Sequence, residues 1–176
     1  MMRNVIFAAL VVVSTASLFA ESAAGVRWTA PAAWKAEAAR PMRAATYSIP
    51  NVAGESGTAE CVVNYFGPGQ GGDVAANIER WRGQVLGADG KAATAKVDKR
   101  TVRGVPITVI DASGTYTGMG GPMMGGAKPV TGYRLIGAII EGPGGSVFFK
   151  LTGPAKTIAA QQKNFEQLLA SIQPDK

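Results

Sequence analysis

Four acidic residues scattered along the chain are the side chains best suited to acid–base chemistry: Glu60, Asp73, Asp111 and Glu141. Paired carboxyl groups can hydrolyse glycosidic bonds when both converge in one cleft. The sequence alone does not bring any two of these acids together. Asp111 follows an apolar stretch, and we keep Asp111, Glu60 and Asp73 as candidate bases of an exported hydrolase or lyase.

The chain of 176 residues contains no histidine and a single cysteine, Cys61. Without imidazole, the Ser-His-Asp and Cys-His nucleophile systems are excluded, and so are nearly all catalytic zinc sites. Cys61 lies in a run of alternating residues that predicts a strand, and we interpret it as a buried, inert hydrophobic residue. We therefore predict no catalytic residue, no metal and no cofactor, and a non-enzymatic protein is the favoured interpretation.

A glycine-rich stretch at residues 67–72, Gly-Pro-Gly-Gln-Gly-Gly, matches the pattern G-x-G-x-x-G, follows a predicted strand and precedes a predicted helix. Dinucleotide binding also requires a parallel βαβ unit with a second buried strand. Residues 87–91 are no such strand, and Asp73 places negative charge where a pyrophosphate would bind. Three interpretations of residues 67–72 remain. The stretch is a structural connector, a small-anion site at the helix N-terminus, or a loop that contacts a ligand or a protein partner. The contact residues of such a loop are Gly67, Gly69, Gln70 and Gly72.

A second glycine-rich loop is predicted at residues 118–126 and carries Met119, Met123 and Met124. Thioether sulfur suits soft ions such as Cu(I), but neither a histidine nor a second cysteine is available to complete a metal site. Methionine also makes adaptable apolar contacts. We therefore interpret this loop as a second contact surface for a ligand or a protein partner.

Residues 1–20 read as a secretory signal peptide, with Arg3 before an apolar run from Val5 to Val13 and small residues after it. The apolar run is too short for a permanent membrane span. We expect cleavage after Ala20 or Ala24 and a single globular domain over residues 25–174. The protein is then secreted or periplasmic.

The formal net charge is +6, and it falls to +5 when the signal segment with its one arginine is removed. The basic residues are spread along the chain and are not clustered with aromatic residues, a pattern that does not favour nucleic-acid binding. Partners are therefore expected to be a protein or a small ligand, and we expect a monomer.

Two helices are predicted from apolar periodicity. Val74, Ile78, Trp81 and Val85 lie on one face of a helix over residues 73–86, with Asp73 at its start and Gly87 at its end. The spacing turns Trp81 inward. A second helix begins at Pro154 and carries an apolar stripe that ends at Ile172.

The remaining elements are strands. Residues 43–49 and 59–66 form a predicted hairpin, residues 87–100 an exposed loop, and residues 101–116 a long β-rich stretch. A further hairpin joins residues 133–140 to 146–151. Six or seven strands, mostly joined by hairpins, predict an α+β protein with a mainly antiparallel sheet covered by helices.

The order of these elements resembles the PsbP-like fold, an α/β/α sandwich. The resemblance covers residues 27–173 and rests on the opening Trp28-x-x-Pro31-x-x-Trp34, the early hairpin, the central helix and the closing hairpin and helix. It implies the fold, and it implies a binding or assembly role for a small exported bacterial protein. It assigns no functional residue.

Overall fold

The structure is a computed structural model, and it describes residues 20–118 and 128–175. Two helices are present in these ranges, α1 (Val74–Arg82) and α2 (Ala155–Ser171). The strands alternate with turns along the chain and are β1 (Ala20–Ala23), β2 (Val26–Thr29), β3 (Lys35–Ala36), β4 (Ala45–Ser48), β5 (Glu60–Tyr65), β6 (Val85–Leu86), β7 (Ala95–Val102), β8 (Val105–Tyr116), β9 (Val130–Gly142), β10 (Gly145–Pro154) and β11 (Gln173–Pro174).

Eight of the strands form one sheet in the order β3-β4-β5-β10-β9-β8, with β6 and β7 both paired to the outer side of β8. The other three form a small sheet in the order β1-β2-β11. Every strand pair in the described ranges is antiparallel. The predicted α+β class with a mainly antiparallel sheet is therefore confirmed. Two strands of the main sheet, β3 and β6, have only two residues each, too short to be recognised by periodicity.

Helix α2 and strand β2 cover one face of the main sheet. The apolar stripe of α2, from Ile158 to Leu169, packs on side chains that alternate along β8, β9 and β10. The two tryptophans of the predicted opening segment, Trp28 and Trp34, are buried in this core. The ring of Trp28 meets Phe149 edge to face at a centroid distance of 5.0 Å.

Helix α1 covers part of the opposite face with a smaller apolar cluster. Ile78 and Trp81 of α1 pack on Ile110, Ile139 and Phe148. Trp81 is buried as its spacing predicts, and its ring lies over Gly137, where a Cβ atom would come within 2.3 Å of it. The sheet thus lies between two helical layers.

The boundaries of α1 differ from the predicted ones. Asp73 does cap the helix, since its Oδ1 accepts a hydrogen bond of 2.8 Å from the amide of Ala76. The helix ends at Arg82 with Gly83 as its C-cap, four residues before the predicted Gly87. Val85 is buried as its spacing indicates, but in β6, because tertiary pairing with β8 competes with continuation of the helix.

Three other predicted boundaries are wrong. A short strand, β6, does follow α1 directly, and part of the predicted loop at residues 87–100 is the strand β7. The side chains of β7 are mostly exposed, so its sequence lacks the apolar alternation that indicates a strand. Pro154 is the N-cap residue that precedes α2, where it also ends β10, and not the first helical residue.

Both predicted hairpins are present. Strand β4 pairs with β5, and β9 pairs with β10 through the turn at Pro143 and Gly144. No helix in the described ranges is long and apolar enough to cross a membrane. Polar side chains lie on both faces of the main sheet, around Lys150 on the α1 side and around Asp111 and Arg134 on the α2 side.

Candidate functional site

A lysine lies on the face of the sheet that carries α1. Along β10 the side chains alternate, so that Val147, Phe149 and Leu151 belong to the core under α2. Phe148 and Lys150 point to the opposite face. Lys150 is half-buried and pairs with Val62 of β5 on one side and Gly137 of β9 on the other. A cationic side chain thus stands at the middle of the sheet, not at its edge.

The ammonium group of Lys150 has only neutral hydrogen-bond partners within the described part of the chain. Its Nζ donates to Oε1 of Gln84 at 3.3 Å and to the hydroxyl oxygen of Tyr116 at 3.2 Å. The same Nζ lies 5.8 Å from the centroid of the Tyr116 ring. Gln84 itself is buried, because the chain turns inward at Gly83 after α1. A charge with neutral partners in a partly dry site is incompletely compensated.

Burial lowers the pKa of Lys150 to about 8, against an ordinary value of 10.5. The negative charge of Glu60 acts in the opposite direction, and the positive charges of Arg43 and Arg80 lower the pKa further. Lys150 is still mostly protonated at neutral pH, since its pKa lies above 7. The site therefore presents a positive charge that is poorly solvated.

The surrounding charged groups are partly engaged with one another. Arg43 lies 3.8 Å from a carboxylate oxygen of Glu60. Arg80 contacts the side-chain oxygen of Asn77 on its own helix. Around Lys150 there are three cationic groups and one carboxylate, which leaves a local charge of +2. An anion bound beside Lys150 would offset part of this excess.

Two aromatic rings form one wall of the site. Tyr116 and Tyr133 stack with centroids 6.1 Å apart and an angle of 7° between their planes. Burial raises the pKa of Tyr116 to about 12, so its hydroxyl stays protonated and able to donate a hydrogen bond. The partly exposed ring of Tyr116 supplies an apolar surface next to the Lys150 ammonium group, and the buried Tyr133 supports it from behind.

The Lys150 site was not predicted from the sequence. A signal was present, because Lys150 is the one charged residue in the otherwise apolar run from Val147 to Leu151. Alternation places Lys150 on the same face as Phe148, where a charge is unexpected. Gln84 and Tyr116 give no comparable signal, since only the antiparallel pairing of β6 with β8 brings them together.

The first glycine loop, residues 67–72, packs against Phe148 of β10 and Asn77 of α1. Its φ angles at Gly67, Gly69, Gly71 and Gly72 are 105°, 66°, 92° and 79°, a region that favours glycine. A Cβ atom at Gly71 would lie 2.7 Å from the ring of Phe148. The buried side chain of Asn77 donates to the Gly71 carbonyl at 2.8 Å, and the amide of Gln70 donates to the Gly67 carbonyl at 3.1 Å.

The dinucleotide interpretation is ruled out for this loop. The strand that follows α1 is antiparallel to its neighbour, and Asp73 already occupies the helix N-terminus. The fit against Phe148 and Asn77 supports a structural connector. A role of Gly67, Gly69, Gln70 or Gly72 in binding stays a prediction.

The second glycine loop adjoins the Lys150 site at its described end. Thr117 follows Tyr116, and both its amide and its hydroxyl donate to the backbone carbonyl of Gln84, at 2.9 and 3.2 Å. Met119, Met123 and Met124 lie outside the described residues, and their role stays a prediction.

The structure does not bring the candidate bases together. Asp111 lies on the α2 side of the sheet, where its two carboxylate oxygens accept hydrogen bonds of 2.8 and 2.6 Å from Arg134. Glu60 lies on the α1 side beside Arg43. Asp73 caps α1.

A cavity of about 220 Å³ between β7 and α2 does contain three acids, Asp98, Asp111 and Glu166. Asp111 is paired with Arg134, and Glu166 forms an ion pair with Arg100 at an N–O distance of 2.8 Å. A carboxylate held by an arginine is a poor general base, because the pairing stabilises its charged form.

Cys61 is fully buried, and its surroundings raise the pKa of the thiol above its usual range. A thiol in this state is unreactive. Within the described ranges there is no group of three or more histidine, cysteine or acidic residues that could hold a metal ion. Lys150 and its partners are therefore the best defined polar site of the described chain.

No protein-family profile matches this chain, and no curated protein sequence does either. Several solved structures are similar in fold, and two of them are described here. PA94 of Pseudomonas aeruginosa, described as a protein of unknown function and a regulator candidate, is 14% identical, with a TM-score of 0.50 over 90% of this chain and 97% of PA94. The solution structure of CyanoP, the cyanobacterial PsbP of Synechocystis, is 12% identical, with a TM-score of 0.51 over 95% of this chain and 98% of CyanoP.

The structural similarity to these two proteins establishes the fold, and the low sequence identities leave the role open. The similarity spans nearly the whole length of PA94 and of CyanoP, and it agrees with the α/β/α layering and the antiparallel sheet described above. The protein therefore has the PsbP-like fold.

Proposed function

We propose that this protein is an exported, non-enzymatic binding domain that holds the carboxylate of a small organic acid against Lys150. The single observation that carries the proposal is the half-buried ammonium group, whose hydrogen-bond partners in the described chain are the neutral oxygens of Gln84 and Tyr116. A bound carboxylate would supply the missing negative charge. Charge-assisted hydrogen bonds of this kind are stronger than neutral ones.

A carboxylate fits the site better than a phosphate. A phosphate group carries a charge of about −2 and three acceptor oxygens, so it requires more donors than a carboxylate does. Here Arg43 is beside Glu60, and Arg80 is held by Asn77. One ammonium and the hydroxyl of Tyr116 suit a single carboxylate group, and the partly exposed ring of Tyr116 suits an apolar or aromatic ligand body.

Export with cleavage after Ala20 is the second part of the proposal. The contacts of β1 favour Ala20 over Ala24, because Glu21 accepts a hydrogen bond of 2.7 Å from the hydroxyl of Tyr47. Tyr47 in turn accepts one of 2.9 Å from the indole of Trp28. Cleavage after Ala24 would remove Glu21 and leave the largely buried Tyr47 hydroxyl without this acceptor. N-terminal sequencing of the exported protein checks the cleavage site. A first residue of Gly25 would contradict cleavage after Ala20.

Titration with small carboxylic acids tests the binding function. We expect benzoate, phenylacetate or succinate to shift the NMR signals of Lys150 and Tyr116, and to bind at least about tenfold more weakly to Lys150→Met. The matched control is Lys163→Met, which removes an exposed lysine from α2 and should leave binding unchanged. Equal binding to both variants would contradict the proposal, and so would tighter binding of inorganic phosphate than of any carboxylate.

The affinity for carboxylates should also depend on pH in a defined direction. An anion binds the protonated lysine, so the affinity should be constant near pH 6–7 and fall as the pH rises through the pKa of about 8.

An exported hydrolase or lyase is the less well supported alternative function. Its candidate bases Asp111, Glu60 and Asp73 lie apart, and each is engaged with another group.

A further inference from the structure

The loop that joins β4 to β5, residues 50–59, is fastened to the first turn of α2. Oε2 of Glu55 accepts hydrogen bonds from the amide of Thr157 at 2.7 Å and from its hydroxyl at 2.8 Å. Oε1 of Glu55 accepts one of 3.3 Å from the amide of Lys156. The amide of Val52 donates to the hydroxyl oxygen of Thr157 at 3.1 Å. Two residues of the loop thus bind one turn of a helix that is distant in the sequence.

Helix α2 takes its N-terminal cap from this loop and not from its own sequence. Its N-cap residue is Pro154, which has no polar side chain, and its first turn carries no acidic residue. The first amides of a helix lack intrahelical partners, and the helix dipole favours negative charge beside them. Glu55 meets both needs. Thr157 is fully buried, so the loop also supplies partners for a hydroxyl that is shielded from water.

Polar contacts hold most of this loop in place. Its residues are exposed except for the half-buried Val52 and Glu55 and the buried Ala59, so the loop itself buries little apolar surface. A segment of this kind opens at a lower free energy than the core of its protein. Loss of the Glu55 hydrogen bonds should therefore release the loop without unfolding the sheet.

The far end of the same loop lies against Tyr133. The hydroxyl of Tyr133 donates to the carbonyl of Thr58 at 3.4 Å, and a Cβ atom at Gly57 would clash with that hydroxyl oxygen. Tyr133 is buried and stacks on Tyr116, whose hydroxyl oxygen accepts a hydrogen bond from Lys150. A contiguous series of contacts therefore joins the loop to the Lys150 site.

We propose that Glu55 is a positioning residue of the Lys150 site and acts through the 50–59 loop. Its hydrogen bonds to α2 hold the loop against Tyr133, and Tyr133 keeps the ring and the hydroxyl of Tyr116 in place beside Lys150. This role presupposes the carboxylate binding proposed above. When the loop opens, Tyr133 loses its cover and Tyr116 is less well oriented, so a bound carboxylate loses part of a preorganised site.

The contact between Glu55 and α2 should weaken in acid. Partial burial would raise the pKa of Glu55, but the hydrogen bonds from Thr157 and Lys156 and the positive charge of Lys156 lower this pKa below its ordinary value of 4.5. The loop carries no other charged residue, and its titratable neighbour Tyr133 is neutral in acid. The contact is therefore at full strength above pH 4.5 and is lost as the pH falls through the lowered pKa.

Hydrogen exchange on the exported protein measures the state of the loop. In Glu55→Ala, the amides of Val52 and Thr157 should exchange at least about tenfold faster. Ser56→Ala changes an exposed residue of the same loop and is the matched control, with unchanged exchange. Glu55→Gln keeps one acceptor oxygen without the charge, so it should lie between the two. Acidification from pH 6 to about pH 3.5 should loosen the wild-type loop more than the Glu55→Gln loop.

NMR signals and benzoate binding measure the effect on the site. Glu55→Ala should shift the ring signals of Tyr133 and Tyr116 and weaken benzoate binding about threefold to tenfold, and Glu55→Gln should restore part of the loss. Gly57→Ala leaves the carboxylate in place but crowds the Tyr133 hydroxyl, so it should weaken benzoate binding as well. Unchanged signals of Phe165 in the core under α2 show that each variant is folded.

Unchanged exchange of the Thr157 amide in Glu55→Ala would overturn the proposal. Faster exchange with unchanged Tyr133 signals and unchanged benzoate binding would overturn it too, because the loop would then open without affecting the site. The carboxylate-binding function fails separately, if Lys150→Met binds benzoate as tightly as the wild-type protein does. The ring signals of Tyr133 and Tyr116 would then still decide whether Glu55 positions them.

Discussion

The two faces of the main sheet differ in what they bury. The face under α2 carries the larger apolar core, which includes Trp28, Phe149 and Phe165, and its charged residues, such as Asp111 and Glu166, line the cavity toward β7. The face under α1 has a smaller apolar cluster around Trp81, and beyond it lies a polar region centred on Lys150. Both faces belong to the same strands, and only the parity of each residue decides which environment its side chain meets.

We expect the α2 face mainly to stabilise the fold and the α1 face to carry the proposed binding site. The apolar core under α2 stabilises the fold through the area it removes from water. A partly polar face gains less, because Lys150, Gln84 and Thr152 must be desolvated. Such a region is tolerated when it serves a ligand, and the α1 face is accordingly where we locate the proposed site.

Truncation of adjacent phenylalanines should give the largest contrast. Phe149 is fully buried under α2, and Phe149→Ala should lower the free energy of unfolding by about 3–5 kcal/mol. Phe148 faces α1 and contacts the half-exposed Phe66 at a centroid distance of 5.7 Å. Phe148→Ala should cost about 1 kcal/mol less, because its surroundings can relax into the space. Urea denaturation measures both, and a larger loss for Phe148→Ala would reverse the comparison.

Overpacking of the α1 face should have the next largest effect. A Cβ atom at Gly137 would lie within 2.3 Å of the Trp81 ring, so Gly137→Ala must displace α1. We expect a loss of about 2–3 kcal/mol and a change in Trp81 fluorescence. Gly83→Ala is the control, since its Cβ would meet nothing closer than 3.5 Å and its φ of −65° suits alanine. Equal stabilities of the two variants would show that Trp81 does not pack tightly.

The charge on the α1 face should make stability depend on pH. Folding lowers the pKa of Lys150 to about 8, so between pH 8 and 10.5 the unfolded chain binds more protons than the folded chain. Stability then rises with pH in this window. Relative to Lys150→Met, the wild-type protein should gain about 2 kcal/mol between pH 7 and 9.5. Denaturation of both proteins at the two pH values measures the difference, and a constant difference would place Lys150 in water.

Loss of the α1 cap should have the smallest effect. Asp73→Ala removes the acceptor for the Ala76 amide and should cost about 1 kcal/mol. Glu79→Ala removes an exposed acid of the same helix and should cost less than about 0.5 kcal/mol. Thermal melting compares the two, and equal values would mean that the cap contributes no stability. Neither change should weaken the core under α2.

Patterns that depend on neighbours in the sequence were predictable. The hairpin of β9 and β10 follows from two β-prone runs around a glycine-rich turn, and the stripe of α2 from helical spacing. The PsbP-like order of elements was recognisable for the same reason. The end of α1 was not, because Gly83 and the pairing of Val85 with Tyr116 override a periodicity that continues through Val85.

The sequence by itself determined the fold class, the inert Cys61 and the absence of imidazole chemistry, since these depend on composition and local period. Only the tertiary structure decided the Lys150 site, because Gln84, Tyr116 and Lys150 are separated by more than thirty residues and meet through strand pairing. The same holds for Asp111, whose partner Arg134 lies on the next strand of the sheet. The sequence gives the chemical type of each side chain, but the free energy of a charged group depends on the neighbours that folding brings next to it.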